Sequence, residues 1–315
     1  MDYAPYVLFL PLLLFLICRV SRLHQVVSSF FLLMEYSRIE KLYGDLMEEW
    51  RSLNDEGENA AWINVGLWCG LPGQTYTAAA RALADRLFAA GGVASLPPSS
   101  LVLDVGCGLG DGLLRWASLA PPGVSFVGIN ITPSQVDEAR RRCGGRGAFE
   151  VGDATRLARA GASVDAVLAL ESAFHFDTRA CFLNESARLL RPGGRIAIAD
   201  IIMSPAGFRW RCLFTNAALA RFFCIPLENC VDAAALEQQF KDAGFVDVHC
   251  ESVAASTFPG LLSCYARSWE RRGGWENATP RARAFHLLMN YGYRPLMLFA
   301  ADYVIVSARK KGGGG

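Results

Sequence analysis

Five short apolar runs, LVLDV (101–105), SFVGI (125–129), AFEV (148–151), DAVLAL (165–170) and RIAIADI (195–201), alternate with segments of helical or turn character. Runs of four to seven residues bounded by turn residues are strand-sized, and their alternation with helices predicts an α/β chain: a mostly parallel Rossmann-like sheet covered on both faces. The helix after the second run carries a start signal, with Thr132 as N-cap, Pro133 at the first helical position and Gln135 completing a capping box. RPGG at 191–194 stops the helix before the fifth run. Beyond it, a helix around residues 233–243 meets GFVDVHCESV, and a last strand, antiparallel to the others, is expected over 302–307.

The N-terminus is of a different kind. Residues 3–18 carry no charge, Asp2 precedes them, and Arg19 and Arg22 follow. A secretory signal has the opposite flanks, so the expectation is an uncleaved membrane anchor over residues 1–36. At about 1.5 Å per residue the uncharged run reaches ~24 Å, which suits a thin membrane such as the endoplasmic reticulum, or partial insertion. The flanking arginines place the remainder in the cytosol. Residues 37–96 read as an N-terminal helical lid. In it, Ile39, Leu42, Tyr43, Leu46, Met47 and Trp50 recur at helical spacing, and a second helix spans 76–88. The main domain is expected over 97–311. Two aromatic inserts in it, 204–235 and 255–300, are expected to form a lid above the carboxyl ends of the strands.

Lys and Arg total 31 against 30 Asp and Glu, so no global field draws in nucleic acid. The ten cysteines are scattered, with no C-x-x-C spacing, and read as thiols in a reducing compartment. The four histidines are not paired at ligand spacing, so no metal site is expected. The sequons at Asn130, Asn184 and Asn277 are read as chance matches.

In LVLDVGCGLGDG, Asp104 ends a strand, and Gly106, Cys107, Gly108 and Gly110 form the turn after it. Glycine lets a backbone approach a ligand closely. The dinucleotide spacing G-x-G-x-x-G is broken, because Asp111 stands three residues after Gly108, which argues against a nicotinamide-dependent reductase. An acid before the first glycine resembles motif I of class I S-adenosylmethionine-dependent methyltransferases. The resemblance continues in register over residues 64–204 through NVGLW, VGINITPSQ, VGDATRL, LALESAFHF and LLRPGGRIAIADI. It is strongest with small-molecule enzymes, the antibiotic sugar O-methyltransferases and the sterol and tocopherol C-methyltransferases.

That resemblance implies S-adenosylmethionine as cofactor. It assigns Asn130, with Ile131 and Gln135 beside it, to the ribose, although the usual residue at Asn130 is Asp or Glu. It assigns Asp153 and Ala154 to the adenine. His175 and Asp200, at the ends of neighbouring strands, are the expected base and its orienting carboxylate, with Glu171 as a rival base or a holder of the cofactor's amino end. The expected acceptor is a small lipophilic molecule, with O-methylation ahead of C- or N-methylation of a sterol, prenyl or phospholipid-type substrate. A catalytically silent cofactor-binding scaffold is the alternative from another class.

Overall fold

A computed structural model describes residues 50–54, 59–70, 73–205 and 224–312. The expected anchor, most of the amphipathic helix before Trp50 and most of the first insert lie outside these residues. Among the described residues no helix is long and apolar enough to cross a membrane.

The sheet has seven strands: β1 Leu101–Val105, β2 Ser125–Asn130, β3 Ala148–Val151, β4 Val164–Leu170, β5 Leu190–Met203, β6 Phe245–Ser252 and β7 Ala301–Lys310. Their spatial order is β3-β2-β1-β4-β5-β7-β6, and only β7 runs against its neighbours. β5 begins at Leu190, so it takes in the RPGG turn; Leu190 pairs with Val164, and the register shifts before Arg195 meets Ala166. The chain proceeds from β1 to β2 on one side and returns to β4 on the other. This leaves a crevice beyond the carboxyl ends of β1 and β4, where ligands bind in open α/β sheets.

Alternate side chains of each strand point to opposite faces, and each face receives its own helices. On one face Val102, Phe126, Ala166 and Leu168 pack with α1 (Tyr76–Ala90), α2 (Asp111–Leu119) and α3 (Pro133–Cys143) through Leu83, Leu87, Trp116 and Val136. On the other, Leu103, Val127 and Val167 meet Phe182 and Leu183 of α4 (Arg179–Leu189) and Leu236 and Phe240 of α5 (Ala233–Asp242).

The second insert is helical: α6 Phe258–Arg271, α7 Gly274–Asn277, and α8 Pro280–Leu287, which winds on to Ala300. Phe258, Leu261, Tyr265 and Phe285 share a core with Leu53, Trp62 and Tyr76. Trp68, within the NVGLW stretch, packs on α6 so closely that a Cβ at Gly260 would stand 2.1 Å from its ring, and Trp68 N donates to Ser256 O at 2.7 Å.

Candidate cofactor and acceptor site

A cavity of about 670 Å³ opens at the carboxyl ends of β1, β2 and β4. Residues 104–109, 129–132, 152–154, 170–172 and 175–177 line it, and residues 61–64 and 224–226 close its sides. All the sequence-expected cofactor residues except Gly110 are on this wall, with Glu171 and His175. Asp200 is not.

The three glycines of the β1–α2 turn all have positive φ, yet for different reasons. A Cβ at Gly106 would lie 2.2 Å from Ser172 Cβ, and one at Gly110 would lie 2.8 Å from Cys143 Sγ. Both are required by packing. A Cβ at Gly108 would meet only Ile63 Cδ1, at 3.7 Å, so its missing side chain is space within the cavity. Asp104 is buried, and the Leu113 amide in the first turn of α2 donates to its carboxylate. It therefore caps a helix whose N-cap residue, Gly110, has no side chain for the purpose. Desolvation outweighs that bond and pushes the Asp104 carboxyl up to about 7.

Thr132 and Pro133 start α3 as read, but the capping box does not form. Gln135 turns to Asn130, whose Nδ2 donates to Gln135 Oε1 at 2.7 Å, while Asn130 Oδ1 accepts from Thr132 N at 3.3 Å. One Asn130 N–H and the Gln135 amino group remain for a ligand. Ile131 is 56% exposed and Ala154 is small and buried; both face the cavity. Asp153 Oδ1 accepts from Thr155 N and Oγ1 at 2.8 and 2.7 Å, which fixes the carboxylate at the rim.

A strap covers this half of the cavity. Ala61 N donates to Asp111 Oδ1 at 3.1 Å, and Arg142, paired with Asp111, donates to Leu109 O and Asn59 O, each at 2.7 Å. Val65 N donates to Glu171 Oε1 at 2.7 Å, and the Tyr303 hydroxyl donates to the same oxygen at 2.8 Å. Burial holds the Glu171 carboxyl up at about 8 in spite of these donors.

The expected His175–Asp200 pair is replaced by another arrangement. Asp200 is inaccessible to solvent; its Oδ2 accepts from Arg179 Nε at 2.8 Å and its Oδ1 from Phe174 N at 3.1 Å. Arg179 is equally buried and also donates to Asn229 O and Ile201 O. Asn229 Nδ2 donates to Phe174 O and Phe176 O at 3.0 and 2.7 Å, so the short turn Ala173–His175 is gripped on both sides. His175 points into the cavity with Nδ1 3.2 Å from Cys224 O. A carbonyl only accepts, so Nδ1 carries the proton and Nε2 a lone pair. Desolvation lowers the imidazole to about 4.

Residues 103–198 match a family model described as a methyltransferase domain. Erythromycin 3''-O-methyltransferase of Saccharopolyspora erythraea is 32% identical over 268 residues, 80% of this chain and 84% of that one. The chain belongs to the methyltransferase family. 27-O-demethylrifamycin SV methyltransferase of Amycolatopsis mediterranei is 36% identical over 218 residues, 67% of this chain and 75% of that one. A solved geranyl diphosphate methyltransferase in complex with SAM shares the fold, with a TM-score of 0.57 at 19% identity over 79% of this chain and 98% of that one.

The enzyme is an S-adenosylmethionine-dependent methyltransferase. The open side of Gly108, the exposed Ile131 and the Asn130–Gln135 amides fit that cofactor. Sequence reasoning missed Arg179, Asn229 and Tyr303, the residues that hold His175 and Glu171 in place. Among the described residues of the two inserts, only Cys224, Ile225 and Pro226 of the first line the cavity.

Proposed function

We propose that this methyltransferase methylates a hydroxyl oxygen of a small, lipophilic acceptor at a membrane to which residues 1–36 anchor it, with the domain in the cytosol. The observation that carries the reading is His175, an imidazole lining the cavity whose Nδ1 lies 3.2 Å from Cys224 O, which leaves Nε2 as the basic nitrogen of the ring. An acceptor hydroxyl must lose its proton as the new bond to oxygen forms, and a neutral imidazole takes it. The two relatives described above, both acting on oxygen by name, support O-methylation.

When bound, S-adenosylmethionine supplies an electrophilic methyl group on a positively charged sulfur. Gly108 would leave room for it, Asn130 and Gln135 would offer amides to its hydroxyl groups, and Ile131, Asp153 and Ala154 would hold its adenine. Glu171 ties the strap at Val65 to the sheet at Tyr303, so the strap excludes water above the reacting atoms. Phe176, Ile225 and Pro226, on the His175 side of the cavity, give an apolar wall suited to a lipophilic acceptor. The uncharged run at residues 3–18 supports the anchor.

The test incubates membranes containing the full chain with methyl-labelled S-adenosylmethionine and a lipid extract. A labelled methyl ether in the organic phase is expected. Label on carbon or nitrogen would overturn O-methylation, label only in the aqueous phase would overturn the lipophilic acceptor, and release of the chain by carbonate would overturn the anchor.

A further inference from the structure

The helix that runs from Pro280 to Ala300 presents an unusual outer side. Phe285, Met289 and Met297 are buried in the core. On the opposite side Tyr291 is 79% exposed, Leu298 43% and Phe299 72%, and Arg294 and Pro295 between them are also exposed. The turns over 288–293 and 296–300 are π-helical, and these five positions, about one turn apart, lie on the side away from Phe285, Met289 and Met297 and form one stripe. Single exposed apolar residues are ordinary; a contiguous stripe of them marks a contact surface.

We propose that this stripe rests on a phospholipid bilayer. The inference builds on the membrane reading above and deepens it by saying which face of the domain meets the lipid. A tyrosine and an arginine set among Leu298 and Phe299 is an interfacial composition: the apolar tips enter the acyl boundary while the phenol and guanidinium stay among headgroups and their phosphates.

One point where the chain leaves the described residues, at Ser204, supports the same occupant. Ser204 N donates to Ala300 O at 2.9 Å and Ser204 Oγ to Phe299 O at 3.2 Å, and from there the sequence continues into FRWRCLFTNAALARFFC at 208–224. An aromatic-rich stretch is therefore continuous in sequence with a residue bonded to the end of the stripe. It ends in sequence at Cys224, which lines the cavity.

The test places the full chain in vesicles of phosphatidylcholine and phosphatidylserine that contain a phospholipid with a diazirine in the upper acyl chain. After irradiation, adducts are mapped by mass spectrometry. Adducts are expected on the peptide carrying residues 291–299 and on that carrying residues 3–18. Adducts on the N-terminal peptide alone would overturn the stripe and leave the anchor standing, whereas adducts on 291–299 alone would do the reverse. The double variant Tyr291→Ser, Phe299→Ser should keep its melting temperature and its N-terminal adducts and lose those on 291–299. Cross-links in vesicle-free protein from the stripe to residues 1–36, or to a second copy of the chain, would also overturn the proposal.

Discussion

Arg179 and Asp200, both inaccessible to solvent, form a 2.8 Å ion pair directly behind the turn that carries His175. Burial raises the Asp200 carboxyl while the guanidinium opposes the rise, so the pair is held by mutual compensation. Asp200→Asn leaves the Arg179 charge buried without a counter-ion and should cost about 3–5 kcal/mol in chemical denaturation. Arg179→Met combined with Asp200→Leu should recover much of that loss, though not all, because Phe174 N loses its acceptor. If Asp200→Asn alone proves neutral, the pair does not hold the turn.

His175 makes a separable prediction. His175→Ala removes the Nε2 lone pair and leaves the Asp200–Arg179–Asn229 grip on the backbone intact. Turnover should fall by about 10²–10⁴-fold while cofactor affinity, read by calorimetry, stays within error. Turnover within a few-fold of the parent would remove His175 as the base.

The three glycines should fail in different ways. A methyl at Gly106 or Gly110 meets Ser172 or Cys143 at under 3 Å, so Gly106→Ala and Gly110→Ala should lower the melting temperature sharply. Gly108→Ala meets only Ile63, so its stability cost is the strain of a positive φ, about 1–3 kcal/mol. Its cofactor affinity should fall far more than its stability implies. Equal affinity losses in all three variants would contradict the assignment of free space to Gly108 alone.

Most of the sheet was legible in the sequence because each strand is a short apolar run closed by a turn, and the glycine turn marked the cavity end of β1. The neighbours of polar groups were not. Thr132 and Gln135 satisfy a capping pattern, but Asn130 Nδ2 competes for the same amide oxygen and wins it. Asp200 and His175 end adjacent strands, and nothing local distinguishes a carboxylate facing the cleft from one turned to an arginine 21 residues away. Tyr303 lies 132 residues from Glu171 and reaches it only because β7 inserts between β5 and β6.

Asn130→Asp should tighten cofactor binding. The new carboxylate keeps the Thr132 amide as donor, Gln135 can rotate its amide to donate, and a bond to a ligand hydroxyl becomes charge-assisted. A gain of about 1 kcal/mol, roughly fivefold in Kd, is the expected size. Weaker binding would place the ligand hydroxyls elsewhere.

Stability should fall as pH rises from 6.5 to 8, and Glu171 should account for much of the slope. Its carboxyl is raised from 4.5 to about 8, so between those values the folded state holds a proton that the unfolded chain has lost. The unfolded state then binds fewer protons, and stability decreases with pH by up to about 1.4 kcal/mol per unit for each such group. Asp104, raised from 3.8 to about 7, acts in the same direction until it too ionises. His175, lowered from 6.5 to about 4, acts oppositely, because between those values only the unfolded state is protonated; its contribution is complete about one unit above 6.5. His286, also lowered by burial, acts in the same sense as His175. Melting temperatures at pH 6.5, 7.25 and 8 should therefore decline in the parent and decline less in Glu171→Gln, whose amide does not titrate. His175→Ala should steepen the decline slightly, by about 0.4 kcal/mol over this interval, all of it below about pH 7.5. An undiminished slope in Glu171→Gln would show that the Val65 and Tyr303 donors keep Glu171 ionised throughout.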